Sequence, residues 1–543
     1  MSKYFPIFTI VGFFFCFVYL IISVVNEELI IFSMNLFVQD ELSSDMTIMF
    51  DQLSVSFMFM VLSVSTCVLI YAVWYMEGEK NFNKFIVTLF MFIISMMFLC
   101  MSTDIYWVMV GWDGLGITSF FLIIFFQNWK SVSSGMVTLL SNRIGDVFIV
   151  TSICLDVFYF ESKYSLIFIA LGAITKSAQY PYSAWLPEAM AAPTPVSALV
   201  HSSTLVTAGI YLLLRFNEMF NNELVSLFIL SVASMSAFLS ISSSWGELDL
   251  KKIIALSTLS HLSMMILFIS CKDYLCAIIH MISHAFFKSS LFMFAGILIH
   301  FSFGFQDIRK LWMNPSTHFL SMSLVFFSCA SMVGGPFLAG FYSKEIMIMS
   351  LFSFSQKTWI LWMTMFLVFG SCLYSARIIF RLLSNLPFYS YSSDPEEFNS
   401  TPLLIVTILS ISAGSMIIWL TISSWPSLSF QPKESGVSKL FLFLSMFMGF
   451  FMGLTVEKKG KLWSKMWMVY YWSSSMMVFS PKMKTNYFYY NLLGDSSGIL
   501  DWVIWKTKSV NHISFSIKMT ENFKIIMFLC GVMILMVSIF MKI

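Results

Sequence analysis

Leu275-Cys-Ala-Ile-Ile-His280-Met-Ile-Ser-His284-Ala-Phe-Phe-Lys288-Ser-Ser-Leu291-Phe-Met-Phe-Ala295 is an apolar run with three ionisable side chains set into it. They stand at i, i+4 and i+8. On an α-helix that spacing stacks them along one face, with little drift per step. A charge at the centre of a bilayer costs roughly 2.5–3.5 kcal/mol on insertion scales, so such residues usually face a wet interior and carry a function. The stretch predicts a membrane-buried helix with a ladder of proton-holding groups.

The rest of the chain agrees with that setting. Of its 543 residues, 58% are hydrophobic and 11% are charged. A soluble domain carries about 25% charged residues, so this chain belongs in lipid. The formal net charge of +2 gives no support to a nucleic-acid partner. The cysteines are scattered through apolar runs and read as packing residues. The closest pair, Cys271 and Cys276, lacks a second pair at metal-ligand spacing, so no iron–sulfur or zinc site is expected. No signal peptide or Arg-rich transit sequence is read, and Phe5 to Val25 looks like an ordinary span. The 41 Met and 60 Phe exceed what packing requires, since Leu would serve. A genetic code with extra Met codons in an AT-rich genome explains them, which points to an animal mitochondrial gene.

A span needs about 20 mainly apolar residues. That rule predicts an all-α polytopic membrane protein with about fifteen transmembrane helices, joined by mostly short connections, with no soluble domain. Two spans are interrupted. One break is Ile174-Thr-Lys176-Ser-Ala-Gln-Tyr-Pro181, followed by Pro187, Pro193 and Pro195. The other is Met332-Val-Gly334-Gly335-Pro336, leading to Gly340-Phe-Tyr-Ser-Lys344-Glu345. Pro removes a helical hydrogen bond and Gly adds freedom. Irregular backbone at membrane depth is tolerated where it lines a cavity or is buried in protein. A pair of discontinuous helices in corresponding halves points to inverted repeats around an ion site. The expected organisation is N-terminal spans in 1–83, an antiporter-like core in 84–382, additional spans in 383–454, and a lateral element with an anchoring span in 455–543. Residues 455–523 mix Lys, Trp and Tyr with apolar residues, which suits a helix lying along the membrane surface.

Several ionisable residues fall inside these spans. Asp113 sits mid-span among glycines in Gly111-Trp-Asp113-Gly-Leu-Gly116. Its alternative is a carboxyl capped at a kink. Asp146 follows Arg143 by one turn, so an internal ion pair is an equal reading. Lys176 precedes the first break. Burial favours a neutral amine and a nearby carboxylate favours the ammonium, so a carboxylate that moves would switch such a lysine between holding and releasing a proton. Snorkelling to the interface is the bland alternative. His201 is open between a hydrogen bond to a neighbouring helix and a role in holding water with its Ser and Thr neighbours. Lys251 opens a span, where lysines often sit at the interface, but His261 follows it three turns on. Lys344 and Glu345 follow the second break. As adjacent residues they do not share a helix face. No dinucleotide fingerprint, phosphate loop, nucleophile–base–carboxylate set or haem-like His pair is read, so no redox cofactor is expected in this chain.

These motifs, in this order, resemble the antiporter-like subunits of respiratory complex I. The resemblance is carried by Gly111 to Gly116, Asn142-Arg-Ile-Gly-Asp146, Lys176-Ser-Ala-Gln179 and Leu186-Pro-Glu-Ala-Met-Ala-Ala-Pro-Thr-Pro-Val-Ser-Ala-Leu-Val-His201. Ala255-Leu-Ser-Thr-Leu-Ser-His261, His280 to Lys288, Gln306-Asp-Ile-Arg-Lys310 and Gly340-Phe-Tyr-Ser-Lys344 complete it. It covers about residues 50–382, with the tail matching more loosely.

The resemblance implies a proton-translocating subunit at the far end of the membrane arm, in the mitochondrial inner membrane. FMN, iron–sulfur clusters and ubiquinone would belong to other subunits. It implies Asp113 as the carboxylate partner of Lys176, and Asp146 as a second acid. It further implies His201, Lys251, His261, His280, His284 and Lys288 as a central hydrated axis, and Lys344 with Glu345 as the exit pair. The tail resembles the family's lateral helix and separates the chain from the related subunits 2 and 4. Those would be neighbours, alongside lipids such as cardiolipin. The family often has Glu where Asp113 stands and Asp where Glu345 stands. The N-terminus reads one span shorter than in longer relatives. A subunit of a multisubunit sodium/proton antiporter is the nearest alternative.

Overall fold

The computed structural model describes residues 5–26, 30–35, 45–158, 163–302, 304–311, 319–353, 358–384, 400–424 and 436–455. The polar loop around 385–399, the lateral element and the last span fall outside the described residues. The chain enters as α1 (Phe5–Asn26), followed by an antiparallel hairpin of β1 (Ile30–Asn35) and β2 (Asp45–Phe50), with Ile30 opposite Phe50 and Asn35 opposite Asp45. The sequence reading left this hairpin out. Its first strand is the short apolar run Ile-Ile-Phe, too brief to register as a span.

Then come α2 (Gln52–Tyr75), α3 (Phe82–Met101), α4 (Ile105–Ile123), α5 (Trp129–Phe158) and α6 (Lys163–Lys176). After the first break, α7 (Trp185–Glu188) and α8 (Thr194–Val196) lead through a π-helical segment, Ser197–Thr204, into α9 (Leu205–Arg215). The series continues with α10 (Glu223–Gly246), α11 (Leu250–Ser270), α12 (Tyr274–Phe301), α13 (Phe319–Val333), α14 (Ala339–Ser353), α15 (Thr358–Ser384), α16 (Thr401–Ser424) and α17 (Gly436–Thr455). Among the described residues, nine helices are long and apolar enough to cross a membrane. The single span expected at 318–352 is two helices of 15 residues each, α13 and α14, because Gly334 to Pro336 end the first one.

Two populations of helix separate by burial. The apolar stretches of segment 194–215, α11 and α12 are buried throughout, whereas those of α3, α4 and α5 have more than half of their residues outside the core. A helix that is apolar all round has no polar face to give to water, so it is either central or lipid-facing. Helix α12 is central and packs on α2, α11, α13, α14, α16 and the π-helical segment. The apolar stretch around the histidine ladder is thus wholly inside the protein.

Local chemistry fixes the ends. Asp51 caps α2 by accepting from Ser54 N at 2.8 Å, while Asp51 N donates to Ser54 Oγ at 2.9 Å. This reciprocal pair satisfies two of the donors that a helix start leaves open. The same carboxylate forms an ion pair with Arg215, at the end of α9. Arg377, on α15, donates to the carbonyls of Ser244, Trp245 and Glu247 at 3.0, 2.5 and 2.8 Å, closing the C-terminus of α10. Gly334, at φ +92, lets α13 end in a tight turn in which Gly334 N and Gly335 N both donate to Ala330 O. Gly209 admits α6: a Cβ there would lie 2.6 Å from Ala173 O.

Candidate proton path

The first break is held by its own polar groups. Gln179 Nε2 donates to Ser177 O at 3.0 Å, Gln179 Oε1 accepts from Ser236, and Trp185 Nε1 donates to Thr175 O at 3.1 Å. Both breaks contain left-handed backbone on a residue with a Cβ, Ala178 (φ 55) and Phe337 (φ 64). That region is disfavoured for such residues and tends to mark functional turns.

Lys176, at the end of α6, is fully buried. Its Nζ donates to Trp112 O at 2.6 Å and lies 3.8 Å from the centre of the Trp112 ring. The Trp112 indole donates to Asp146 Oδ1 at 2.9 Å. Arg143 reaches Asp146 at 3.2 Å and Asp113 at 3.7 Å. The geometry therefore differs from the expected direct pairing of Asp113 with Lys176. Asp113 follows Trp112 on α4, so its carboxyl leaves the helix on another face, toward Arg143, with Oδ1 buried and 36% of the side chain exposed. Asp146 is the buried carboxylate and reaches the lysine through the indole. The internal ion pair of Asp146 with Arg143 is present as well. Trp112 stood in the sequence motif, but nothing local marked it as the bridge.

Lys251 is buried and donates to Ala192 O at 3.1 Å, where the chain emerges from the first break. Its side chain is enclosed by protein at the start of α11. Its neighbour Lys252 remains at the surface and pairs with Asp249 at 3.5 Å. His201 lies on the π-helical segment against Trp185, with both ring nitrogens buried and unmatched by a protein hydrogen bond. Of its two readings, a bond to a neighbouring helix is not the one adopted. Buried imidazole nitrogens need partners, and water supplies them where space allows.

The central set is the densest. His261 Nδ1 and His280 Nε2 are 3.0 Å apart, and His280 Nδ1 meets Ser343 Oγ at 2.9 Å. On the far side, His261 Nε2 meets the Tyr374 hydroxyl at 3.1 Å, and that hydroxyl meets Ser260 Oγ at 3.3 Å. His284 packs 5.6 Å from the His261 ring, with both nitrogens buried and without a protein hydrogen bond. Lys288 Nζ donates to Ser257 Oγ at 2.5 Å and to Met332 Sδ at 3.2 Å. Lys344 Nζ donates to the carbonyls of Met332 and Val333 at 2.8 and 2.7 Å, and to Ser371 Oγ at 3.0 Å. It thereby covers the open carbonyls at the end of α13, a favourable place for a cation. Glu345 is one position further and half-buried.

Sequence reasoning missed Tyr374, Ser343, Ser257 and Ser371. The Gln306 to Lys310 motif lies outside this path. It ties two loops together, with Leu250 N donating to Gln306 O and Ile308 N to Leu248 O. Among the described residues, no group of three His, Cys, Asp or Glu side chains converges as a metal site.

Two family models match the chain. One, described as NADH:quinone oxidoreductase/Mrp antiporter, TM, covers residues 102–373. The other, NADH-Ubiquinone oxidoreductase (complex I), chain 5 N-terminus, covers residues 37–86. The Locusta migratoria protein named NADH-ubiquinone oxidoreductase chain 5 is 40% identical over 472 residues, 82% of this chain and 81% of that protein. The chain belongs to this family. The chain 5 protein of Anopheles gambiae is also 40% identical, over 73% of this chain and 71% of that one. Among solved structures, an Mrp complex chain from Dietzia sp. DQ12-45-1b superposes with a TM-score of 0.66 at 24% identity. That match covers 95% of this chain but 59% of the longer Mrp chain. An archaeal membrane-bound sulfane sulfur reductase chain gives 0.65 at 16% identity, covering 84% and 94% of the two chains. These likenesses establish the chain 5 fold as antiporter-like and multi-pass.

Proposed function

We propose that the chain is a proton-translocating membrane-arm subunit of NADH:ubiquinone oxidoreductase, working through the buried line Asp146, Lys176, His201, Lys251, Lys288, His261, His280 and Lys344. One observation carries this reading. Four lysines and four histidines (including His284) are 4% exposed or less inside a membrane protein. Burying so many titratable groups is costly unless they pair, change protonation or hold water. The described contacts of Lys251, Lys288 and Lys344 are carbonyls, hydroxyls and one thioether, which suit a site that a proton can leave. Asp113 with Arg143 would set the charge near Asp146, and Glu345 would stand at the exit beyond Lys344.

Chain 5 proteins are complex I subunits, so other subunits of that complex are partners of this one. In the finer reading, those are the related subunits 4 and 2, with cardiolipin among the lipids, in the mitochondrial inner membrane. NADH oxidation and quinone reduction, with FMN, iron–sulfur clusters and ubiquinone, belong to other subunits. The full span count is about fifteen, with two discontinuous helices in inverted repeats. Divisions at 83, 382 and 454 separate N-terminal spans, core, additional spans, and a lateral helix with its anchor. The antiporter-like likeness keeps a second reading in view, a subunit of a sodium/proton antiporter, while identity to chain 5 proteins favours the first.

The experiment reconstitutes the intact complex of a tractable relative into sealed vesicles and measures protons pumped per NADH. The equivalents of Lys176→Ala and Lys288→Ala are expected to keep electron transfer and lose part of the pumping. Normal pumping in both overturns the reading.

A further inference from the structure

The hydrogen-bonded series Ser260–Tyr374–His261–His280–Ser343 links α11, α15, α12 and α14 without a gap. Each of the three central members has two polar contacts and can both donate and accept, as a phenol and two neutral imidazoles do. Only two consistent assignments of the protons exist. In one, Tyr374 donates to His261 Nε2, His261 Nδ1–H donates to His280 Nε2, and His280 Nδ1–H donates to Ser343 Oγ. Ser343 then donates to Gly340 O, 3.3 Å away. In the other, every donor is reversed: Ser343 donates to His280 Nδ1, His280 Nε2–H to His261 Nδ1, and His261 Nε2–H to the Tyr374 oxygen. Tyr374 then donates to Ser260 Oγ, which itself donates to Ser257 O at 2.8 Å. Neither arrangement leaves a buried member unsatisfied, so neither carries the penalty of an orphaned polar group.

We infer that Tyr374, His261, His280 and Ser343 form a two-state proton wire between the Lys288 and Lys344 ends of the path, with Tyr374 and Ser343 as its terminal relays. The inference rests on the proton-moving reading above. Lys288 Nζ lies 5.8 Å from the Tyr374 ring centre, and Ser343 immediately precedes Lys344 on α14. One passage takes in a proton at the Tyr374 oxygen as the phenol O–H proton passes to His261 Nε2. The Nδ1 proton of His261 passes to His280 Nε2, and the Nδ1 proton of His280 passes to Ser343 Oγ. The Lys288 ammonium supplies the entering proton and becomes the neutral amine, and the neutral Lys344 amine takes up the Ser343 hydroxyl proton, each through water. One proton enters, one leaves, and no net charge stays behind. Passage converts the first arrangement into the second, so the wire cannot pass another proton the same way until its groups turn back. Both histidines exchange their protonated nitrogen together.

The test uses the intact complex of a tractable relative, with the equivalents of Tyr374→Phe, Ser343→Ala and both together. The phenyl ring remains beside Lys288, so packing is kept. Each single variant is expected to lose pumped protons per NADH with electron transfer retained, and Ser343→Thr, which restores a hydroxyl, to recover them. Because the two ends lie in series, the double variant is expected to lose no more than either single one; independent structural effects would compound. Normal pumping in Tyr374→Phe and Ser343→Ala, with pumping lost in Lys288→Ala, overturns the wire and leaves the pump intact. Normal pumping in Lys288→Ala as well overturns both. If a variant does not assemble, infrared difference spectra of the unsubstituted complex decide, since the two neutral imidazole tautomers have distinct ring bands. A concerted tautomer exchange during turnover supports the wire, and a fixed tautomer overturns it.

Discussion

Asp146 and Asp113 exchange the places expected of them relative to Lys176. Asp146 accepts a hydrogen bond from the indole of Trp112, whose carbonyl and ring hold Lys176, whereas Asp113 reaches only Arg143 in the described ion pairs. Asp146→Asn is therefore expected to reduce proton pumping per NADH more than Asp113→Asn does, in the same vesicle assay. Equal losses would place the two carboxylates in one function. The distinction was illegible in sequence because it depends on the direction in which α4 presents consecutive residues to α5 and α6. For the same reason Tyr374 went unread. It meets His261 across 113 residues of chain, and helical periodicity reports only neighbours within a turn or two.

Outside the spans, hydrogen bonds from the Arg309 side chain hold the Asp307 carboxyl below the ordinary carboxylate range, with burial pushing more weakly the other way. A carboxyl whose value is lower when folded stabilises the fold above its ordinary range, and that contribution fades as pH falls through the folded value. Asp307→Asn is expected to lower the melting temperature slightly at neutral pH and to leave it unchanged in strong acid. The pair is largely exposed, so the contribution is about 0.2–1 kcal/mol.

Among the elements, the two breaks were legible because Gly and Pro mark them chemically. Their depth was not. The second break divides one expected span into α13 and α14, and only the structure shows Lys344 closing the carbonyl end of α13. Arg377 performs a similar service for α10 and gave no signal in the sequence, since its partners are backbone carbonyls some 130 positions away. Arg377→Ala would leave three carbonyls without that donor. The expected loss is about 1–3 kcal/mol, for an unsatisfied buried group. It should appear as reduced thermal stability of the subunit, with normal proton yield in the complexes that do assemble. Gly209→Leu should be more severe, because even a Cβ meets the Ala173 carbonyl at 2.6 Å. Assembly yield is the measurement.

For the whole molecule, the lysines and histidines of the path take buried positions, while α3, α4 and α5 turn much of their apolar surface outward. Val147 on α5 and Phe447 on α17 are 60% and 63% exposed. Val147→Lys or Phe447→Lys is expected to cost roughly 2.5–3.5 kcal/mol on insertion, lowering the membrane-integrated yield in a translocation assay. Full yield would mean that another subunit or water covers that face. The class of fold and the line of lysines and histidines were readable from composition and spacing. The hairpin at 30–50 and the serine and tyrosine partners were not, because they arise from pairing between distant segments.

Met332 has a consequence of its own. Its sulfur receives Lys288 and its carbonyl receives Lys344, so one residue in the last turn of α13 touches two lysines. A displacement of that end by an ångström would loosen both grips in the same instant. The two lysines are then not separate stations that must signal to each other. They are two hands on one lever, and whatever bends the chain at Gly334 moves both.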